Sequence, residues 1–414
     1  MPKRSFGSLI ILALILFVST QANGLTLQEA YKKSVSNTGQ LKNYVLNQEK
    51  SRAVATQLIS ETLPSLTATS TGSWEDDSKS GFQSELNNWS STTKLSVTQP
   101  LFQGGSEYFA FHSAGLNEEI ADSEKKQAEA SLFYEVGKVF YEALALESDL
   151  RFLSEQKNIL EERIKYIAGR VKIGRSKKTE LLASQSQHAR VASEIEDLKS
   201  QIQVKRSSLS EWMGESATMD LVDNIPLNNL RLPILNSKQS FPALEILNLK
   251  AELASKESSA LASTYLPRVD LIGNYYFKRS IANEGTDWDL GITATWDLFS
   301  GGSEEAKRRI KAIEAEQLSN TASDERRNFS FKTQSLFSKF ESEKRQYSLL
   351  EESVKLAKQN YSEHQKEFRN GLVGNLDVLR ALDELLTAQR NFDRIRFAAK
   401  TTFLEFHKEI GKVP

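Results

Sequence analysis

The chain of 414 residues contains no cysteine, only four histidines, and almost as many acidic as basic residues. Without cysteine there is no disulfide, thiolate nucleophile, zinc–thiolate site or lipid anchor on an N-terminal cysteine. The histidines are far apart, with no pair at metal-ligand spacing. No phosphate-binding glycine loop or nucleophile motif is present, so we expect neither an enzyme nor a bound metal or cofactor. The net charge of −1 provides no general basic field, and we expect no nucleic-acid partner.

Long apolar runs are also missing. The longest, Leu9 to Val18, follows two basic residues and precedes a small, polar stretch that ends at Gly24. Its ten residues are about half of what a membrane helix needs, so residues 1–24 are predicted to be a signal peptide, cleaved after Ala22 or Gly24. The mature protein is therefore expected to be exported without a lipid or helical anchor.

An internal duplication organises the rest of the chain. The motif Leu-Phe-x-Gly-Gly-Ser-Glu occurs at residues 101–107 and again 197 residues later, at 298–304. Gly174 and Gly371 are also 197 residues apart, so the spacing between the double glycine and the later glycine is the same in both halves. A repeat that keeps its spacing over this length indicates one structural unit present twice.

Each unit is predicted to contain a helix, a β-hairpin and a long helical hairpin, with a proline-containing linker between the two units. The predicted boundaries are 25–213 for the first repeat, with its β-hairpin at 64–103 and its helical hairpin at 106–212; 214–242 for the linker; and 243–414 for the second repeat, with its β-hairpin at 267–300 and its helical hairpin at 303–410.

The longest helices are predicted from heptad spacing. Between residues 132 and 171, seam positions alternate in steps of four and three, the pattern of a coiled coil, and all but Lys157 are apolar. The same positions in the second repeat, over 329–368, are mostly apolar or aromatic. A helix over 106–172 would be roughly 100 Å long at about 1.5 Å per residue. It needs partner helices, and the chain is predicted to return over 178–212 and 376–409.

The segments before each double glycine alternate with a period of two. Over Trp288–Leu298, every even-numbered residue is apolar and every odd-numbered residue is polar or glycine. Weaker alternation over 66–74, 89–98 and 269–277 predicts three further strands, and thus two β-hairpins with aromatic ends. A water-soluble sheet that covers a core would show the same pattern, but strands of this length with aromatic ends also suit an outer-membrane barrel. In a barrel, the lipid-facing residues would be Trp288, Leu290, Ile292, Ala294 and Trp296.

Four strands are too few to close a barrel in lipid, because an open edge leaves backbone groups without hydrogen-bond partners. Several chains must therefore share one barrel. Two chains would supply eight strands, whose interior is filled by side chains, and three would supply about twelve, with room for a lumen. We predict a homotrimer in contact with outer-membrane lipid.

Four motifs together resemble the TolC family of outer-membrane efflux proteins, the outer-membrane factors. They are Leu-Thr-Leu-Gln-Glu-Ala at 25–30, Leu-Pro before each β-hairpin, Leu-Phe-x-Gly-Gly after it, and Gly-Leu-Val-Gly-Asn-Leu-Asp-Val-Leu at 371–379. The resemblance covers essentially the whole mature chain. It implies a mainly α fold with a β-barrel part, in which a trimeric 12-stranded outer-membrane barrel continues into a periplasmic α-helical tunnel. The linker at 214–242 would lie in the equatorial region.

The same resemblance implies a function. Members of the family serve as the exit duct of tripartite efflux pumps and type I secretion systems. They dock onto a periplasmic adaptor protein and work with an inner-membrane transporter of RND, ABC or MFS type. A lumen lined by small polar residues fits drugs, small toxic molecules or unfolded polypeptide as cargo.

The resemblance places the closed constriction and the adaptor contact at the turns of the helical hairpins, the periplasmic tip. Asp377 matches the family's tip aspartate, and Thr179 and Glu180 match its Thr-Asp pair in the first repeat. Three copies would bring these carboxylates into an acidic ring that favours cations. Arg380 stands where the family often has a second aspartate, so the gate is either an anionic ring or a salt-bridged lock. The predicted adaptor-docking residues are Gly174, Arg175, Lys177, Lys178, Gly371, Leu372, Val373 and Gly374.

Two other classes of protein fit part of the pattern. A periplasmic adaptor is also exported and also combines a coiled-coil hairpin with β-structure. It should contain one hairpin, however, whereas here the whole strand–helix unit occurs twice. An exported coiled-coil scaffold would leave the alternation over Trp288–Leu298 unexplained.

Overall fold

The computed structural model describes residues 24–74, 89–235, 241–278 and 287–414. Most of these residues are helical, and the strands form one small sheet. The predicted signal peptide lies outside the described residues except for Gly24, and so do the strand connections 75–88 and 279–286.

The elements follow a similar order in both halves of the described chain: one or two helices, two strands, then two long helices. The first half contains α1 (Leu27–Asn37), α2 (Gly39–Ser60), β1 (Ser65–Trp74), β2 (Trp89–Gln103), α3 (Ser106–Lys172) and α4 (Lys178–Met213). A 3-10 turn at Leu227–Asn229 lies between the halves, and the second half contains α5 (Pro242–Ala260), a 3-10 helix (Leu261–Tyr265), β3 (Arg268–Lys278), β4 (Trp288–Thr295), α6 (Ser303–Arg369) and α7 (Asn375–Glu409).

The two longest helices, α3 and α6, have 67 residues each, or about 100 Å at 1.5 Å per residue. α3 begins directly after Gly105, whose φ of 92° is a left-handed conformation that glycine adopts without strain. Gly174, with φ 72°, lies in the turn just beyond its C-terminus. The helix predicted over 106–172 is confirmed, as are the returning helices, although α7 begins one residue early, at Asn375. Among the described residues, no helix is both long enough and apolar enough to cross a lipid bilayer.

The heptad seam predicted the core of the long helices. Leu153, Leu160 and Ile167, seven residues apart in α3, are fully buried. Near the middle of α3 the buried surface is wider than the seam, because α1 and α7 pack against this part of the helix as well. Phe133 and Tyr141 lie beside the predicted seam positions and are buried for this reason. In α6 the buried seam residues are Thr333, Leu336, Phe340, Glu343, Tyr361 and Phe368.

Four apolar clusters lie in the helical part of the described chain, and two of them are large. The upper cluster joins α1, α3, α4, α6, α7 and the linker around the fully buried Val136 and Phe140. The lower cluster, nearer the helical turns, joins α3, α4, α6 and α7 around Leu153 and Leu160. Between the two large clusters, α3 and α7 meet through two buried carboxylates and the groups paired with them, which we call the ionic layer. It consists of Ser148, Asp149, Arg390, Asp393 and Arg394.

The strands form a single antiparallel sheet in the order β1–β2–β3–β4. Pairing of β2 with β3 joins the two halves of the chain, with Val97 opposite Gly273. The two β-hairpins predicted from the sequence are therefore parts of one sheet. Within the described chain, β1 and β4 each have one edge with no strand partner.

The fourth strand is shorter than its alternation predicted. The sequence pattern runs through Leu298, but β4 ends at Thr295. Thr295 pairs with Arg268, the first residue of β3, so residues 296–298 have no strand beside them in the described chain. The prediction was wrong for these three residues, because an alternating segment becomes a strand only where a neighbour supplies backbone hydrogen bonds.

Candidate functional site

One face of the sheet is apolar and exposed. The pairing register places Trp288 beside Tyr275 and Ile292 beside Leu271, so the even-numbered residues of β4 share a face with the odd-numbered residues of β3. Leu290 and Ile292 are 64% and 69% exposed. The same face continues across β2 and β1, where its apolar residues are Trp89, Leu95, Val97, Leu66, Ala68 and Trp74.

The predicted lipid-facing residues behave in two ways. Trp288, Leu290, Ile292 and Ala294 lie on this exposed face of β4. Trp296 is also exposed, but it lies beyond the end of the strand, where its indole N–H donates to the carbonyl of Tyr265 at 3.1 Å.

The opposite face of the sheet is polar and hydrogen-bonded. Ser96 of β2 donates to Oδ1 of Asn274 in β3 at 2.7 Å, and Nδ2 of Asn274 donates to Asp289 in β4 at 2.7 Å. Lys94 reaches the same amide oxygen at 3.3 Å. A sheet with one bare apolar face and one hydrogen-bonded polar face can separate lipid from water.

At the other end of the molecule, the tip is formed by the two helical turns. Gly174 and Gly371 both have positive φ in these turns. The backbone N–H of Gly374 donates to Oδ2 of Asp377 at 3.0 Å, so the partly exposed Asp377 carboxylate caps the start of α7. Leu372 projects from the second turn with 74% of its surface exposed.

A buried asparagine that the sequence analysis did not single out joins the helix ends. Nδ2 of Asn375 donates to Ser184 Oγ at 2.9 Å and to the carbonyl of Glu180 at 3.3 Å. Its Oδ1 accepts a hydrogen bond from Arg163 of α3, whose guanidinium also lies over the Phe368 ring, 4.7 Å from its centre. Burial lowers the pKa of Arg163. Nothing in the sequence distinguished this Asn from an ordinary turn residue, because its burial depends on α3 and α4.

The predicted gate residues thus start two neighbouring helices. Asn375 ties the beginning of α7, with Asp377, to the first turn of α4, with Glu180. Thr179 and Arg380 are exposed, as are Arg175, Lys177 and Lys178 of the first turn. Within the described chain, Arg380 makes no ion pair with Asp377 or any other carboxylate, so a salt-bridged lock would have to form between copies.

In the described parts of the chain, no group of three or more histidine, aspartate or glutamate side chains is placed to hold a metal ion.

The two ends define a class of protein. An exposed apolar sheet with open edges, joined to helices about 100 Å long, is the protomer of an oligomeric membrane channel with a helical extension. The family model described as "Outer membrane efflux protein" matches residues 30–215 and 236–408, one region in each half. The chain therefore belongs to the outer membrane efflux protein family, and it acts as an outer-membrane efflux duct.

Individual relatives are distant in sequence but similar in fold. The outer membrane protein TolC of Vibrio cholerae serotype O1 is 20% identical over 292 residues, which are 67% of this chain and 66% of that protein. The crystal structure of CusC matches 94% of this chain and 92% of its own, with a TM-score of 0.81 and 14% identity. The structure of VceC of Vibrio cholerae matches 93% of this chain and 96% of its own, with a TM-score of 0.79 and 15% identity. The open-state structure of the MtrE channel of Neisseria gonorrhoeae matches 93% of this chain and 88% of its own, with a TM-score of 0.78 and 16% identity.

These comparisons confirm the resemblance to the TolC family and the predicted fold class, a duplicated and mainly helical chain whose strands belong to a shared barrel. They favour the duct over the periplasmic adaptor and the scaffold. The repeat boundaries, the signal peptide and the roles of individual tip and barrel residues stay predictions.

Proposed function

We propose that three copies of this chain form the exit duct of a tripartite efflux pump or type I secretion system. Substrate would pass from an inner-membrane transporter of RND, ABC or MFS type, through a periplasmic adaptor, into the helical tunnel and out through the barrel. The observation that carries this proposal is the four-stranded sheet with an exposed apolar face and an unpartnered edge on each side.

A closed barrel made of several copies would pair the open edges and place the apolar face in lipid. In lipid, the free N–H and C=O groups of β1 and β4 must pair, and the cyclic solution joins β4 of one copy to β1 of the next. Three copies give about twelve strands, enough for a water-filled interior lined by the polar face.

At the tip, we infer that Glu180, Asp377 and their copies form the periplasmic gate, with Thr179 and Arg380 beside them. The turns at 174–178 and 371–374 would contact the adaptor. The contacts of Asn375 support this arrangement, because they hold the starts of α4 and α7 together as one unit. Catalysis has no role in the proposal, and the expectation that the chain is not an enzyme stays a prediction.

The trimer can be tested by cysteine crosslinking, because the chain has no natural cysteine that could form other disulfides. Ala294→Cys in β4 is combined in turn with Leu66→Cys, Ala68→Cys or Ser70→Cys, which share one face of β1. Disulfides need Cα atoms within about 7 Å, so only the pair in register should react. We expect one combination to give covalent species up to three linked chains, and none larger, on denaturing gels of outer membranes.

The control pairs Ala294→Cys with Val97→Cys, on the same face of β2 but inside the sheet. It should not crosslink between copies. Monomeric protein with every combination would contradict the shared barrel.

The gate can be tested by single-channel conductance in planar bilayers. The double variant Glu180→Ala, Asp377→Ala should lose cation preference, with the permeability ratio falling toward one, and should lose block by multivalent cations. Glu196→Ala, which removes an exposed carboxylate that pairs with Lys199 on α4, serves as the control. Unchanged selectivity and block in the double variant would remove these residues from the gate.

A further inference from the structure

The two turns at the tip occupy equivalent positions in the duplicated chain but differ in chemistry. The first turn, residues 174–178, carries Arg175, Lys177 and Lys178, all exposed. In the second turn, residues 371–375, the equivalent residues are Leu372, Gly374 and Asn375. One turn is therefore strongly basic, whereas the other presents an apolar side chain and no charge.

The basic character extends to the ends of the adjoining helices. Residues 170–180 contain five basic residues and one acidic residue, and residues 366–380 contain three basic and two acidic residues. The excess is five positive charges in a chain whose net charge is −1, so positive charge is concentrated at this end. Three copies would triple it.

Within the described chain, Lys366 pairs with Glu363, but the charge of the first turn and of the end of α3 is not neutralised. Lys172, Arg175, Lys177 and Lys178 make no ion pair there, and Arg170 hydrogen-bonds only to the Tyr166 hydroxyl and the carbonyl of Arg175. Elsewhere on the long helices basic side chains do have acidic partners. Examples are Lys157 with Glu161, Lys199 with Glu196 and Lys205 with Glu142.

Local helix energetics account for some of these residues but not for the two lysines. Arg170 and Lys172 lie in the last turn of α3, where a cation is favourable. Lys177 and Lys178, however, are the N-cap and first residue of α4, where the helix dipole repels a cation and no side chain caps the helix. The equivalent start of α7 is capped by Asp377. An unfavourable residue choice at an exposed position is typical of a functional surface.

We propose that the first turn, residues 174–178, docks a carboxylate-rich surface at the tip of the periplasmic adaptor, and that this turn selects the adaptor. The inference rests on the proposed function, to which it adds the chemistry of the partner. All three basic side chains of the turn are exposed, so they suit contact with another protein surface, where charge complementarity governs association rate and partner choice. The second turn would add an apolar contact through Leu372.

The test uses two synthetic helical hairpins as probes. One carries six Asp or Glu residues in and beside its turn, and the other carries Asn or Gln at the same positions. Binding to the purified, detergent-solubilised trimer is measured by surface plasmon resonance in 0.1 M and 1 M NaCl. We expect the acidic hairpin to bind at least tenfold more tightly in 0.1 M salt. That preference should largely disappear in 1 M salt, where the Debye length falls from about 10 Å to about 3 Å.

The second turn provides the variant. Arg175→Leu, Ser176→Val, Lys177→Gly and Lys178→Asn together give the first turn the sequence of the second, and should abolish the preference for the acidic hairpin. The control removes the same number of charges far from the tip, by Lys307→Gln, Arg308→Gln and Arg309→Gln on α6, and should keep the preference.

Several results would overturn the inference. They are equal binding of the two hairpins to the natural trimer, an unchanged preference after the turn exchange, or binding to anionic phospholipid vesicles and not to the acidic hairpin. The Ala294→Cys crosslink is measured in parallel. If the trimer forms but the preference is absent, this inference alone fails; if no trimer forms, the proposed function fails.

Discussion

Replacing Asp149 with alanine is expected to lower the free energy of unfolding by about 1–3 kcal/mol, because it removes the buried carboxylate that accepts hydrogen bonds from two arginines. The Asp149 side chain is 2% exposed. Its Oδ2 accepts hydrogen bonds from Arg394 at 2.7 Å and from Arg390 at 3.3 Å. Both arginines lie on α7, whereas Asp149 lies on α3, so the substitution breaks a contact between the two repeats.

The ionic layer also contains a carboxylate of α7 that contacts α3. The side chains around Asp149 are therefore held on both helices and cannot easily rearrange. Asp393 of α7, also buried, accepts a hydrogen bond from Ser148 of α3 and pairs with Arg396 at 3.2 Å. Arg151 of α3 approaches it at 3.7 Å. Each helix therefore supplies one buried carboxylate to the other. Arg390 also pairs with Glu194 of α4 at 3.7 Å, but Glu194 is half exposed, and the apolar clusters above and below offer no buried polar group that could replace Asp149.

The measurement is chemical unfolding of the detergent-solubilised protein, followed by its helical circular dichroism. Glu363→Ala is the matched control. It removes a carboxylate from an ion pair with Lys366 in which both side chains are 63% exposed, and it should cost at most about 1 kcal/mol. The triple variant Asp149→Leu, Arg390→Leu and Arg394→Leu should recover much of the stability, because it removes the charges together. A single variant as stable as the natural protein would show that the layer contributes nothing.

Sequence spacing located the long helices but not this layer. The heptad pattern over 132–171 depends on neighbours within one helix, and it correctly predicted that Leu153 and Leu160 are buried. Asp149 lies beside that seam in a helix rich in charged residues. Its burial follows from the approach of α7, about 240 residues later in the chain. No local pattern carries that information.

In the strands and at the tip, too, local sequence predicted some features, whereas others depend on residues distant in the chain. Alternation predicted the exposed apolar face of β4, because every second side chain of a strand lies on one face. It did not predict the end of β4 at Thr295, which depends on where β3 begins. At the tip, family resemblance supplied Asp377 and Glu180, whereas the buried Asn375 that joins their helices emerged only from the packing of α3, α4 and α7.

The second large effect is expected at Lys400, which fastens the linker to α7. Its side chain is 1% exposed and donates to the Asp223 carboxylate and to the carbonyl of Ile225. The ammonium also lies 5.5 Å from the centre of the Tyr141 ring. Burial lowers the pKa of Lys400, and Asp223 opposes that shift by favouring the charged form. Lys400→Met keeps a long side chain but leaves Asp223 without its counter-charge. The linker should therefore detach more often from the upper cluster.

This detachment can be measured by thiol labelling, since the chain has no other cysteine. Leu221→Cys places a thiol at a buried linker position two residues before Asp223. We expect Lys400→Met to raise its rate of maleimide labelling at least tenfold, equivalent to about 1.4 kcal/mol less protection. Lys199→Met, which removes a lysine from an exposed pair with Glu196, should leave the rate unchanged. Adding Asp223→Leu to Lys400→Met should restore part of the protection, because no charge is then left unpaired. Equal labelling rates with and without Lys400 would mean that the apolar contacts of Leu221 and Leu227 hold the linker by themselves.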